Sequence, residues 1–228
     1  MKAFHSDPEI KKKYLDRVLA HQEADEIVKR VYWKEGKGCA IGCTLHSDNH
    51  KGYETELGIP EWLARVEDTL FEGMSLEKSK AWAADFLNAV NVGADLQGIK
   101  SSFMVIVLTS TLDTFNHNKY PLVKKTIVSC IEAWKDGSIY NTDVRKSIKK
   151  AAYAADATST ASAAASAAYA ADAAYDADDA AYAAYSADDA AADAASAADD
   201  AAADAASARK RTCGFFADEL IKLLKECK

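Results

Sequence analysis

The chain has 228 residues, only ten glycines and three prolines, and a formal net charge of −7. So few turn-forming residues argue against a strand-rich fold and indicate an all-α fold. The polar N-terminus lacks the apolar stretch of a secretory signal, and no apolar run has the length of a membrane span. The odd number of cysteines, five, favours reduced thiols, so we expect a cytoplasmic protein with no membrane partner.

The acidity of the chain is concentrated in one part of it. Residues 151–208 carry eleven aspartates and no lysine, arginine or glutamate, whereas the other residues hold 24 acidic and 28 basic groups. Rows of carboxylates attract a basic protein and repel nucleic acid. We therefore expect an unknown protein partner of basic character, and no direct binding of DNA or RNA through this acidic element.

Helical spacing of apolar residues predicts five helices before residue 141. The first is expected from about Pro8 to Tyr32, because residues 6–9 supply a cap and a proline in the first turn. The predicted starts of the others are Pro60, Ser75, Asp95 and Pro121. The centre of the fourth, residues 103–108, is β-prone, and its helical neighbours favour a helix over a strand.

An alanine-rich element follows a cap at residues 141–143. Residues 151–208 contain 34 alanines and neither glycine nor proline, which favours a helix. From residue 167 onward, alanines recur at spacings of three and four, as in the seam of a coiled coil, so a homo-oligomer is one expectation. A straight helix of this length would measure about 85–90 Å, and a break at residues 158–160 would turn it into a hairpin.

These elements predict three regions. Residues 1–150 are expected to form a compact multi-helix body, and residues 151–208 a long alanine- and aspartate-rich helix or helical hairpin. Residues 209–228 begin with three basic side chains and continue with apolar residues at helical spacing. They are predicted to form an amphipathic helix that docks on the body.

The densest group of chemically active side chains lies in residues 36–50, where two thiols and two imidazoles occur together. These four side chains are Cys39, Cys43, His46 and His50. Their spacing of three and four residues would place them on one face of a helix, and they are the ligands that zinc prefers. Four of them would complete a zinc site, provided that the chain bends at Gly42.

Two other interpretations of this block stay open. Glycines ahead of a helix start, beside two lysines, favour a small anionic ligand or a thiol of lowered pKa. The residues of that predicted ligand site are Lys34, Gly36, Lys37 and Gly38. Alternatively, the cysteines are buried hydrophobic residues and the histidines are ordinary core or surface residues. His21 and Asp25 form a further pair, which is more simply explained as part of a helix surface.

The sequence "YWKEGKGCAIGCTLHSDNH" and the following "YETELGIPEWLARVEDTLFEG", within residues 1–75, resemble a block in uncharacterised small proteins of bacteria, phages and prophages. In those proteins too an alanine-rich helical tail follows, so the resemblance covers most of the chain. It implies a bacterial or phage accessory protein, and it brings no assigned activity and no catalytic residues. Alanine-rich helical tails also occur in proteins thought to be bacterial immunity factors.

These features favour a non-enzymatic accessory binding protein of the inhibitor, immunity or anti-defence type, which sequesters a partner. One alternative is an enzyme, or a protein that binds a small ligand or metal, that uses the cysteine–histidine group. Another is a structural protein that self-associates through the alanine seam. The sequence establishes no cofactor, and zinc is the one that the cysteine–histidine group would take.

Overall fold

A computed structural model of the chain describes residues 1–113, 117–158 and 201–228. Within these ranges the fold is all-α, as predicted, with one two-stranded ribbon. The helices are α1 (Pro8–Glu23), α2 (Ala40–Leu45), α3 (Gly52–Leu57), α4 (Glu61–Gly73), α5 (Leu76–Ala89), α6 (Ile99–Leu112), α7 (Pro121–Lys135), α8 (Thr142–Thr158) and α9 (Ala201–Glu226). The ribbon pairs β1 (Trp33–Lys34) with β2 (Lys37–Gly38) in antiparallel register, and short 3-10 turns cover Ala3–Ser6 and Ser138–Tyr140.

The chain divides into two compact units. The first comprises Met1–Ile99 together with Ala217–Lys228, and the second comprises Lys100–Phe216. Helices α8 and α9 confirm that the alanine-rich sequence is helical at residues 151–158 and from Ala201 onward. The choice between a single helix and a hairpin, and most of the predicted alanine seam, fall on residues 159–200 and lie outside the described residues.

The first unit is built around α1, α2, α4 and α5. Helix α1 starts where the sequence predicts it, because Asp7 caps it by accepting a hydrogen bond from the backbone N–H of Glu9 at 2.8 Å, with Pro8 in the first turn. The first-unit core contains large side chains from every one of these helices and from α3. They include Tyr14, Val18, Ile41, Tyr53, Leu63, Phe71, Trp82 and Phe86. At the C-terminus, the side-chain amide of Asn91 donates to the carbonyl of Cys227 at 2.7 Å.

The prediction that the first helix extends to Tyr32 is wrong, since α1 ends at Glu23. Asp25 has a left-handed backbone (φ 54°), a conformation that L-residues adopt singly and not within a helix. Beyond it the chain pairs with Gly38, which exchanges backbone hydrogen bonds with residues 26–28. Of the apolar residues in this stretch, Ile27 is buried in the core, whereas Val31 and Tyr32 are exposed.

Most of the predicted helix starts are confirmed. The Ser75 hydroxyl accepts a hydrogen bond from the N–H of the third residue of α5, and the side-chain oxygen of Asn141 accepts from the N–H groups of the second and third residues of α8. The fourth predicted start is wrong, because α6 begins at Ile99 and Asp95 instead closes a turn by accepting from the N–H of Gln97. The β-prone centre of α6 is helical, as predicted.

The second unit packs α7 against α8. The apolar face of α7 is buried, and the rings of Trp134 and Tyr140 meet edge to face at 5.9 Å. Phe103 of α6 and Phe216 of α9 make a similar contact at 6.3 Å. In the parts of the chain that the structure describes, every helix is too short or too polar to cross a membrane.

Candidate functional site

The predicted anion-binding residues lie on the β-ribbon. Lys34 pairs with Lys37, and the two residues between them, Glu35 and Gly36, both have positive φ (52° and 81°). Such a pair of conformations is what a type I′ hairpin turn requires. Both lysines are exposed at the tip. Gly38 is buried, and its N–H donates to the carbonyl of Glu26 at 3.1 Å, so this N–H is not available to an anion. Anion binding at the tip of the ribbon therefore remains a prediction that rests on the two lysines.

Two glycines allow the backbone of residues 24–38, here called the connecting segment, to lie against α2. A Cβ atom added to Gly42 would lie 1.4 Å from the carbonyl oxygen of Tyr32, and one added to Gly38 would lie 2.1 Å from the same atom. No side chain fits at such distances. The Gly38 and Gly42 pair in the predicted block therefore serves a close backbone contact.

The two cysteines of the block are core residues. Cys39 precedes α2 and is 1% exposed, and Cys43 within α2 is fully buried. The thiol of Cys43 donates to the carbonyl of Gly38 at 3.3 Å. Burial raises the pKa of the Cys43 thiol to about 12, and burial followed by the charge of Asp68 raises the pKa of Cys39 further. Since the thiolate is the nucleophile and the metal ligand, this environment disfavours a reactive thiol.

The histidines stand apart from the thiols. Helix α2 ends at Leu45, and its C-cap, His46, has a left-handed backbone (φ 55°). The His46 ring stacks on Trp33, with ring centres 4.2 Å apart and planes 14° apart. His21 of α1 reaches the same place, and its Nε2 lies 2.8 Å from Nε2 of His46. Its other nitrogen, Nδ1, lies 2.6 Å from Oε2 of Glu26. A carboxylate, two imidazoles and an indole thus form one connected group.

The charges around His46 oppose its protonation. Its pKa is lowered from 6.5 by partial burial first, and then by the charges of Arg17 and His21 on α1. Arg17 is held in place by donating a hydrogen bond from Nη1 to the carbonyl of Thr44 at 2.8 Å. His46 therefore stays neutral to a lower pH than an ordinary surface histidine.

The last predicted ligand, His50, belongs to a second polar group centred on Asp68 of α4. Nε2 of His50 lies 3.4 Å from Oδ2 of Asp68, and the rings of His50 and Tyr32 meet edge to face at 5.7 Å. The charge of Asp68 is the main cause of a raised pKa at Tyr32. Neighbouring residues of the connecting segment thus contact different histidines: Tyr32 packs on His50, and Trp33 packs on His46.

The structure does not bring the four predicted zinc ligands together. The two thiols lie in the core, while His46 pairs with His21 and His50 pairs with Asp68. Across residues 1–113, 117–158 and 201–228, no group of three or more His, Cys, Asp and Glu side chains is placed to hold a metal ion. Zinc binding by the four remains a prediction from their spacing alone.

Sequence reasoning missed the partner of His21. It paired His21 with Asp25 at helical spacing, but α1 ends between the two residues, and Asp25 forms an ion pair with Lys80 instead. His21 takes Glu26, five residues on. The contact was not predictable from helical periodicity, because it depends on the left-handed turn after α1.

A buried carboxyl group on α4 was missed as well. Glu67 is fully buried, and neither its carboxylate oxygens nor the Tyr53 hydroxyl beside it makes a hydrogen bond of normal geometry. Burial raises the pKa of Glu67 well above its ordinary value; the nearby Tyr53 hydroxyl opposes this rise and the charge of Asp68 adds to it. Glu67 is therefore a protonated acid over a wide pH range.

Comparison of this chain with protein-family models, with curated proteins and with solved structures found no match. The resemblance to small bacterial and phage proteins therefore stays an expectation. Any functional proposal rests on the residues of the chain and on their geometry.

Proposed function

We propose that the chain is a non-enzymatic accessory binding protein, of the inhibitor, immunity or anti-defence type, from a bacterium or a phage. In this proposal it sequesters a basic protein partner through the acidic segment, residues 151–208. The supporting observation is the charge layout, since that segment carries eleven aspartates and no lysine, arginine or glutamate. A surface of one sign of charge speeds the encounter with a partner of opposite charge and suppresses other partners.

The helical ends of this segment support the proposal. Helix α8 includes residues 151–158 and α9 includes residues 201–208, so the first and last aspartates are carried on helices. Alanine adds little side-chain bulk to a helix, which leaves carboxylates as the main polar groups that such an element presents. The alanine seam also allows a homo-oligomer, in which two copies would combine their carboxylates.

Replacing five aspartates of the segment by asparagine is expected to weaken capture of basic proteins from a bacterial lysate, because carboxylates supply the attraction. The change combines Asp188, Asp189, Asp193, Asp199 and Asp200. Capture by the wild-type chain is expected to fall steeply as salt is added, since charge attraction is screened over about 10 Å at 0.1 M salt. The amounts captured are compared by quantitative mass spectrometry at low and high salt.

The matched control replaces five exposed carboxylates of the first unit by amides, which changes the net charge equally. The control residues are Glu9, Glu23, Glu35, Asp48 and Glu77. Control capture close to that of the wild-type chain supports the proposal. Full capture by the asparagine variant, or equal loss in both variants, would contradict it.

A further inference from the structure

Glu26, His21 and His46 form a chain of hydrogen bonds in the first unit. Oε2 of Glu26 lies 2.6 Å from Nδ1 of His21, and Nε2 of His21 lies 2.8 Å from Nε2 of His46. Both distances are those of hydrogen bonds. A nitrogen base that is oriented by a carboxylate, and is hydrogen-bonded to a further side chain, is the arrangement that activates a nucleophile in catalytic triads.

The hydrogen bonds determine which nitrogen of each ring carries the proton. A carboxylate only accepts, so Nδ1 of His21 donates to Glu26 and the lone pair of His21 lies on Nε2. Nε2 of His46 then donates to His21, which leaves the lone pair of His46 on its Nδ1. His46 is exposed, and among the residues that the structure describes its ring forms a hydrogen bond with His21 alone.

The charge beside His46 favours an electrophile that is itself anionic. Arg17 lies four residues before His21 on α1, so the two side chains share one face of that helix. Nη1 of Arg17 donates to the carbonyl of Thr44 at 2.8 Å, two residues before His46. The carboxylate of Glu26 contacts the far side of the His21 ring and is separated from His46 by that ring. A phosphoryl group at Nδ1 of His46 would therefore lie near a fixed cation.

We propose that Nδ1 of His46 is a phosphoryl-acceptor site, with His21 as its base and Glu26 as the group that orients His21. The donor class is a phosphoramidate, which carries its phosphoryl group on nitrogen. The lone pair of Nδ1 forms the new N–P bond, and the P–N bond of the donor breaks. Its electron pair leaves with the donor nitrogen, which is already protonated and departs as the neutral amine.

The proton released by His46 has a defined destination. As Nδ1 gains the phosphoryl group, the proton on Nε2 of His46 passes to Nε2 of His21, 2.8 Å away. The imidazolium formed on His21 is compensated by the carboxylate of Glu26. All of these residues belong to the first unit, so the site does not depend on the acidic segment or on capture of a basic partner.

His50 and His5 lack this arrangement and serve as internal comparisons. Nε2 of His50 faces the carboxylate of Asp68 at 3.4 Å, and that charge repels an anionic donor. Nε2 of His5 faces the carbonyl oxygen of Thr55 at 3.3 Å, where His46 has an imidazole base. The three histidines therefore compare the triad arrangement with two simpler surroundings in one protein.

Incubation of the full chain with potassium phosphoramidate near neutral pH tests the site. Phosphohistidine at each position is quantified by mass spectrometry without exposure to acid, and phosphorus NMR distinguishes the Nδ1 product from the Nε2 product. A positioned base contributes about 10²–10⁴-fold to the rate in enzymes. We therefore expect His46 to be phosphorylated on Nδ1 at least about ten-fold faster than His5 or His50.

Two variants test the roles of the other residues. His21→Asn removes the base, and the rate at His46 is expected to fall to that of His5. Glu26→Gln keeps the size of the side chain without its charge, and the rate at His46 is expected to fall several-fold while the rate at His5 is unchanged. Circular dichroism verifies that each variant is folded.

Three results would overturn the proposal. They are equal rates at His46, His5 and His50 in the wild-type chain, phosphorylation of His46 on Nε2, and a rate at His46 that His21→Asn leaves unchanged. The first two are measured on the wild-type chain, so they stand even where a variant fails to fold.

Discussion

Replacement of Gly42 by alanine is expected to lower the free energy of unfolding of the chain by about 3 kcal/mol. The new Cβ would lie 1.4 Å from the carbonyl oxygen of Tyr32 and 2.6 Å from its carbonyl carbon. Both are backbone atoms, so no side-chain rotation relieves the clash and the connecting segment must move away from α2. Urea denaturation monitored by circular dichroism gives the change.

Gly98→Ala is the matched control for this substitution. No heavy atom lies within 4 Å of a Cβ placed on Gly98, and its φ is not in the left-handed region. Its effect is expected to stay within about 0.5 kcal/mol of wild type. Equal stabilities of the two alanine variants would contradict a close backbone contact between Tyr32 and Gly42.

Replacement of Glu67 by glutamine is expected to remove a loss of stability that the wild-type chain shows as the pH rises. Burial raises the pKa of Glu67 in the folded chain well above its ordinary value of 4.5. Above 4.5 the unfolded chain releases this proton while the folded chain retains it, so stability falls with rising pH up to the folded pKa. The slope contributed by one such group approaches about 1.4 kcal/mol per pH unit.

Unfolding free energies of wild type and Glu67→Gln are therefore expected to diverge with pH, with glutamine increasingly favoured as the pH rises above 4.5. Glu77→Gln, an exposed change on α5, serves as the control and is expected to follow the wild-type curve. Parallel curves for wild type and Glu67→Gln would mean that Glu67 is ionised in the folded chain. The comparison of slopes is independent of how well the glutamine amide packs.

The sequence predicts the architecture correctly where the residues of a single turn determine it. Pro8 and Pro121 open helices, and Ser75 caps one, because each acts on the turn that contains it. The end of α1 could not be predicted from local sequence. Residues 24–32 keep helical apolar spacing, yet the left-handed Asp25 and the pairing with Gly38, a tertiary contact, end the helix.

The candidate site, too, was predictable from the sequence only in part. Spacing identified Cys39, Cys43, His46 and His50 as the densest group of potential ligands, but it assumed one continuous helix. Helix α2 is only six residues long and ends at Leu45, so it cannot hold all four side chains on one face. The thiols lie in the core, whereas His46 contacts His21 and His50 contacts Asp68. The pairing of His46 with His21 joins residues 25 positions apart, which no local pattern encodes.

A histidine NMR titration tests the contact between His46 and His21 most directly. The ring resonances of His46 are followed with pH in the wild-type chain and in His21→Asn. In the wild type, the pKa of His46 is expected to lie below 6.5, because partial burial, Arg17 and His21 all disfavour its charged form. In His21→Asn it is expected to move back toward 6.5, since one of these causes is gone. A wild-type pKa above 6.5, or one that His21→Asn leaves unchanged, would contradict the close approach of the two imidazoles.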